Sequence, residues 1–309
     1  MPDPIRERLE SGSFVLIDKP RGPSSHQVTS WVRDLLGVSR AGHAGTLDPN
    51  VSGLLWIGVG PALKLIPLLL EFPKRYIALI ALHGEAAQRE IERVVAEFTG
   101  PIFQTPPVRS AVRRERRTRT IRRLLLVERV DRHLLVDVEA DSGTYIRSLA
   151  VDLGEALGVG GHLEELRRTG TGPFRATNAM TLSALADAVA LAKEGDYERL
   201  LVGLHTMEEV VSQFPKVLVK EGAAAAVAHG ADLAAPGIAS LPQPFDKGGT
   251  VVLTTRTGAL VAFGTSLYDS TEIPSIRKGW VIDCRRVFAD PANFPVRWRR
   301  RPVSSPTEA

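Results

Sequence analysis

Gly42-His43-Ala44-Gly45-Thr46-Leu47-Asp48-Pro49-Asn50-Val51-Ser52-Gly53 is the stretch on which the reading of this chain turns. One acidic residue, Asp48, stands among small residues and directly before Pro49, and the apolar run Leu54–Val59 follows. Gly42, Gly45 and Gly53 let the backbone approach a partner closely, while Pro49 fixes its own φ and biases Asp48 away from helix. A lone carboxylate on such a loop is usually a turn former or a helix cap. The chemistry of the loop alone therefore leaves Asp48 open between a structural and a catalytic role.

A chain of 309 residues with 44% apolar residues can bury a sizeable core and is long enough for two domains. Its net charge is only +4, but the arginines are clustered. Eight lie between Arg109 and Arg123, including Arg113, Arg114, Arg116, Arg117 and Arg119, and four more (Arg297, Arg299, Arg300 and Arg301) sit near the C-terminus. Charge concentrated in this way is an electrostatic footprint for nucleic acid; the alternative is an ordinary solvated face. Cys284 is the only cysteine, which excludes an intrachain disulfide and a cysteine-rich metal site. The first residues lack the apolar core of a signal peptide, and stretches such as Leu65–Leu70 are too short to span a bilayer. The expected location is cytoplasmic, without membrane attachment.

Apolar spacing supplies the elements. Phe14–Lys19 reads as a strand closed by Pro20, and Gln27–Leu36 as a helix with Val28, Trp31, Val32 and Leu35 on one face. Leu54–Val59 and Tyr76–Leu82 read as buried strands, Glu90–Phe98 as an amphipathic helix, and Leu124–Val130 with His133–Ala140 as strands paired across Asp131-Arg132. Tyr145–Leu157 is expected to be helical, with Ile146, Leu149, Val151, Leu153 and Leu157 apolar and Gly158 as its stop. Without regular βαβ alternation, this predicts an α+β body with a mixed, largely antiparallel sheet. Composition shifts near Phe214-Pro215; the short strands Thr250–Thr255, Leu260–Gly264 and Val281–Val287 then predict a small β-barrel. The divisions are the α+β body over 14–205, a second domain over 214–289, and a basic, partly disordered tail over 290–309.

The wording of the opening loop resembles the catalytic loop of the TruB/dyskerin family of RNA pseudouridine synthases. Separated motifs agree: Asp18-Lys19-Pro20 with Ser24-Ser25-His26, Lys74-Arg75-Tyr76, Gly143-Thr144-Tyr145-Ile146-Arg147, and Glu165-Leu166-Arg167-Arg168. The resemblance runs from about Phe14 to Phe288 and makes Asp48 the nucleophile. It implies that Arg147 stands against the catalytic carboxylate, that Tyr76 stacks on the target base, that Tyr145 belongs to the wall and Leu166 packs under the base, and that His43 lies near the displaced base. Without it, Tyr76 and Leu166 read as core residues, Arg147 as an ordinary helix-start arginine, and Lys19 and His43 as surface residues. The resemblance calls for neither a metal nor an organic cofactor. His229-Gly-Ala-Asp-Leu-Ala-Ala-Pro-Gly-Ile resembles a PUA domain, an RNA-binding module.

Within the family, Gln104-Thr-Pro-Pro-Val-Arg-Ser-Ala followed quickly by Ile121 resembles the archaeal and eukaryotic guide-dependent branch; Leu82-His83-Gly84 and Gly160-Gly161-His162 point the same way. That branch implies the catalytic subunit of a box H/ACA ribonucleoprotein acting on ribosomal RNA, with action on transfer RNA left open beside it. Guide RNA and substrate RNA, a small zinc-ribbon-type protein, a Gly/Arg-rich-protein homologue and a kink-turn-binding protein would be its partners. The arginines from Arg113 to Arg119 would follow RNA backbone. Lys74-Arg75-Tyr76 resembles instead the stand-alone transfer-RNA T-loop synthases, so that reading stays open, as does a noncatalytic RNP scaffold.

Overall fold

The computed structural model describes residues 2–105 and 115–293. The chain divides into two compact units, Met1–Met207 and Glu208–Ala309.

The first unit opens with helix α1 (Asp3–Ser11), to which the sequence reading assigned no element; Ile5 and Leu9 give it a buried edge. Then follow β1 (Ser13–Lys19), α2 (Ser25–Leu36), β2 (Ala41–Ala44), β3 (Ser52–Val59), α3 (Ile66–Glu71), β4 (Lys74–Leu82) and α4 (Gln88–Glu97). The remainder is β5 (Gly100–Gln104), β6 (Arg117–Val130), β7 (His133–Ala140), α5 (Ile146–Ala156), β8 (Gly161–Thr171), β9 (Phe174–Arg175), α6 (Leu182–Lys193), α7 (Glu198–Gly203) and β10 (Leu204–Thr206). Their main sheet runs β10-β1-β3-β8-β4-β7-β6-β5. Every pairing along that path is antiparallel except β3 with β8, which are parallel over Ser52↔Arg167 and Gly53↔Arg168.

That short parallel contact divides the packing in two. On one side, Val15 and Ile17 of β1 and Leu55 and Ile57 of β3 pack with α1, α2, α6 and α7. On the other, Ala78 and Ile80 of β4 and Val136 and Val138 of β7 pack with α4 and α5. Leu166 of β8 touches both clusters. Helix α2 illustrates the local logic. Ser24 caps it in a reciprocal box with Gln27, Gly37 ends it in the left-handed region at φ +66°, and Val28, Val32 and Leu36 are buried. Trp31, placed on the apolar face from spacing, is instead 45% exposed. Val151 of α5 likewise turns outward, while Ile146, Leu149, Ala150 and Leu153 carry the contact.

Helix α8 (Met207–Val211) spans the boundary, and the second unit continues with β11 (Lys216–Val219), α9 (Glu221–Ala228), β12 (Leu233–Ala234), β13 (Ile238–Ser240), β14 (Thr250–Thr254), β15 (Leu260–Ser266) and β16 (Trp280–Val287). Its strands form a barrel-like sheet in the order β12-β16-β15-β14-β11-β13 around Val217, Val251, Leu253, Val261 and Val281. Among the described residues, no helix is long and apolar enough to cross a membrane. The part of the C-terminal tail from 294 onward lies outside the described residues.

Candidate active site

The Asp48 loop joins β2 to β3 and is pinned on both sides of its carboxylate. Before Asp48, the buried Ser25 at the start of α2 donates to the Leu47 carbonyl (2.9 Å) and accepts from the Leu47 amide (2.8 Å). After it, the Pro49 carbonyl accepts from the Gly22 amide at 2.8 Å and from Lys19 Nζ at 3.3 Å. Lys19 also donates to the carbonyls of Pro20 and Pro23, each at 2.8 Å. Read alone as a surface lysine, Lys19 is fully buried. Burial and then the nearby Arg168 charge push its ammonium pKa down, partly offset by Asp48. Hydrogen-bonded backbone fixes the loop while its carboxylate faces out, with the side chain 49% exposed.

Arg147 meets that carboxylate, Nη2 to Oδ2, at 3.1 Å. It belongs to the first turn of α5, whose entry is set by buried Gln104. The Gln104 amide donates to the Tyr145 carbonyl (3.1 Å), and its oxygen accepts from the Tyr145 amide (2.9 Å). A mis-set Tyr145 backbone would move Arg147 with it.

Above the β3–β8–β4 junction is a cleft of about 580 Å³ whose lining includes Asp48, Tyr76, Tyr145, Arg147 and Leu166. Five residues singled out in the sequence are thus brought together from four segments. His43 is not among that lining. It stands at a neighbouring depression, edge-on to His26 with ring centroids 4.9 Å apart. Its Nδ1 is buried without a hydrogen-bond partner, and burial, then His26, then Arg168 lower its pKa.

The arginine cluster divides. Arg122 pairs with Asp141 and Arg123 with Asp137, so structural contacts absorb part of that charge. Arg116 lies over the Phe103 ring, 4.4 Å from its centroid. Arg117 opens β6, and Arg119 is adjacent enough to Gly143 that a side chain there would stand 3.3 Å from its guanidinium. Arg113 and Arg114 lie outside the described residues.

Comparison with known proteins bears directly on this cleft. Residues 33–92 match the family model described as TruB family pseudouridylate synthase (N terminal domain). Residues 147–212 match the tRNA pseudouridylate synthase B C-terminal domain, and 215–288 the PUA domain. A Methanocaldococcus jannaschii protein named "Probable tRNA pseudouridine synthase B" is 43% identical over 96% of this chain and 88% of its own length. A Pyrobaculum arsenaticum protein of the same name is 43% identical over 93% of this chain and 87% of its own. The chain belongs to the TruB family of pseudouridylate synthases. A chain in the crystal structure of a Cbf5-Nop10-Gar1 complex superposes with a TM-score of 0.82 at 41% identity, covering 94% of this chain and 89% of that one. Another, in the structure of an H/ACA RNP bound to a substrate RNA containing 2'-deoxyuridine, gives 0.78 at 39% identity over 96% and 90%. In this TruB-family chain the two catalytic-region matches meet at the cleft: Asp48 and Tyr76 come from the first, Arg147 and Leu166 from the second. The α+β body and the C-terminal PUA domain are as the sequence led one to expect.

Sequence reasoning missed the cations beneath the cleft. Arg168 is 2% exposed and Lys74 is 5% exposed. Neither carries a sequence mark of burial: Arg168 is the second of two adjacent arginines and Lys74 the first of a Lys-Arg pair, patterns that ordinarily lie on surfaces. Lys74 Nζ donates to the Leu70 and Phe72 carbonyls, each at 2.7 Å. Burial, then Arg168, push its pKa down to about 7, against a raising effect of Glu71; the neutral amine still has the N–H groups those two bonds need. Below pH 7 the folded and unfolded states are both protonated at this site. Between there and the ordinary lysine value the unfolded chain binds the extra proton, so stability should rise with pH across that window. Urea unfolding at several pH values should show this rise in the wild-type protein and a smaller one in Lys74→Met.

Proposed function

We propose that this chain is an RNA pseudouridine synthase, an isomerase that converts uridine to pseudouridine in ribosomal RNA as the catalytic subunit of a box H/ACA ribonucleoprotein. The observation that carries the reading is the Asp48–Arg147 pair at 3.1 Å, half-exposed at the mouth of a cleft walled by Tyr76, Tyr145 and Leu166. A scaffold has no need of that combination.

The reaction breaks the bond from N1 to the sugar, turns the base and rejoins it through C5, which gives up its proton while N1 gains one. The target must first leave its stack, because its reacting face is hidden within a folded helix. Asp48 is the nucleophile that holds one fragment covalently and divides the difficult step. Arg147 orients the carboxylate through a charge-assisted hydrogen bond. Tyr76 stacks on the flipped base, worth ~1–3 kcal/mol, with Tyr145 at the wall and Leu166 beneath. His43, from its neighbouring depression, faces the RNA beside the displaced base. Arg116, Arg117 and Arg119, with Arg113 and Arg114, follow the RNA backbone.

The domain over 14–205 performs catalysis, the domain over 214–289 anchors guide RNA, and the basic segment over 290–309 adds charge. The similarity to chains in a Cbf5-Nop10-Gar1 complex and in a substrate-bound H/ACA RNP supports working in such an assembly. Its partners are guide RNA, a small zinc-ribbon-type protein, a Gly/Arg-rich-protein homologue and a kink-turn-binding protein, all in the cytoplasm. The name "Probable tRNA pseudouridine synthase B" carried by relatives favours a second reading, a stand-alone enzyme for the transfer-RNA T loop.

Reconstitution separates the two. On guide-matched RNA, adding guide and partners should raise the rate by roughly 100-fold, the scale that about 1 Å of misplacement costs. Full activity of the lone chain on transfer RNA, with no gain on any guided substrate, would favour the stand-alone enzyme.

A further inference from the structure

Arg168 is the buried cation that the catalytic reading does not use. It lies within the sheet at the place where the two catalytic halves touch. Its backbone pairs with Gly53 of β3, at the end of the Asp48 loop, and with Tyr76 of β4. Gly53 adopts φ +107°, and a Cβ there would stand 2.1 Å from the Arg168 carbonyl oxygen, so only glycine allows this approach. Opposite Tyr76 the register slips: Arg75 faces Gly170 whereas Tyr76 faces Arg168, leaving Thr169 as the extra residue of a β-bulge. Bulges beside active sites re-aim side chains.

The side chain fastens the β3 side and the loop that carries Asp48. Nε donates to the Leu54 carbonyl at 2.7 Å, and Nη2 donates to the Gly45 carbonyl at 3.0 Å, three residues before Asp48. Arg168 and Tyr76 line the same cleft and pair backbone to backbone, and the Tyr76 phenol favours the guanidinium charge against the effect of burial. Among the described residues no carboxylate forms an ion pair with Arg168. A fully buried guanidinium without a carboxylate is costly, and a hydrophobic chain there would often serve stability as well or better. Its place beneath the cleft points to a role in addition to holding the sheet together.

We propose that Arg168 is a positioning residue for the isomerisation, fixing the Tyr76 ring and the Asp48 loop relative to each other through one planar fork. Lysine cannot reproduce this, since it presents a point charge rather than a fork. The inference rests on the proposed roles of Asp48 and Tyr76 and adds the element that aligns them.

A double-mutant cycle between Arg168→Lys and Tyr76→Phe tests it in the full chain, assembled with guide RNA and partners. Single-turnover rates at saturating RNA read the function, and RNA affinity and the urea midpoint are measured in parallel. Arg168→Lys should slow the single-turnover rate by ~10–100-fold while RNA affinity changes less than about threefold. In the double variant the two losses should fall short of multiplying by at least about tenfold, and the midpoint shifts should likewise be non-additive, as expected for groups in contact. A folded Arg168→Lys protein at wild-type rate, or losses that multiply within about twofold, would overturn the proposal. Arg168→Met, of similar length and suited to a buried site, carries the same test if the lysine variant does not accumulate. A wild-type chain that binds RNA without turnover, yet keeps the midpoint coupling, would refute the enzymatic reading and leave the Arg168–Tyr76 alignment standing.

Discussion

Replacing Asp48 by asparagine should abolish pseudouridine formation, with a loss of at least roughly 10⁴-fold, as expected for removal of a covalent nucleophile, and should leave the protein folded and able to bind RNA. Where the charge sits makes this a clean test. The Asp48 side chain is 49% exposed and its partner Arg147 is 42% exposed. A pair so open to solvent contributes at most about 1 kcal/mol to stability. The loop conformation is held instead by Ser25, Lys19 and Gly22 acting on the backbone of Leu47 and Pro49, and the substitution removes no donor or acceptor of those bonds. The measurement is the single-turnover rate at saturating RNA, with circular dichroism and RNA affinity as controls. A near wild-type rate would remove Asp48 from the chemistry.

Arg147→Ala should have the second-largest effect, a loss of roughly 10²–10³ in the chemical step, the scale for deleting one preorganised charged donor. RNA affinity should change far less, because one surface charge is a small part of a many-phosphate contact. Arg147→Lys should recover only part, since an ammonium has the charge without the two-pronged geometry. Gln104 supplies an internal check on the cause: it brackets the Tyr145 backbone and so sets the start of α5 that carries Arg147. A variant of Arg147 that slows the reaction only at subsaturating RNA would make it an ordinary binding contact.

What could be read in the sequence followed from periodicity and from short loops with restrictive chemistry. The strands around Leu54–Val59 and His133–Ala140, and the helices α2, α4 and α5, appear within a few residues of where apolar spacing put them. The errors have a common cause. Trp31 and Val151 are apolar but sit at the edge of a helical face, where spacing alone does not separate half-exposed from buried. Strand β8 escaped because Gly161-His-Leu-Glu-Glu-Leu-Arg-Arg-Thr-Gly-Thr has no simple alternation: it pairs on both sides, and a bulge interrupts its register. Losing β8 meant losing Arg168, and with it the charge that also lowers the pKa values of Lys19, His43 and Lys74. A buried cation held by backbone carbonyls depends on where distant segments place their C=O groups, and local composition does not encode that. Asp48, Tyr76, Tyr145, Arg147 and Leu166 could be picked out only because their wording resembles a known family; as isolated residues each had an ordinary structural reading. His43, expected near the displaced base and not in the cleft, lines a separate depression.

The central claim is that this cleft isomerises uridine in RNA. Because the new glycosidic bond forms at C5, the proton there must leave, so RNA carrying tritium at C5 of its uridines reports the reaction directly. The wild-type chain assembled with guide RNA and partners should release tritium stoichiometrically from the guide-matched uridine, with pseudouridine recovered at that position and no release from Asp48→Asn. RNA that is bound tightly but keeps its label, both in the assembly and on a transfer-RNA T loop, would contradict the claim.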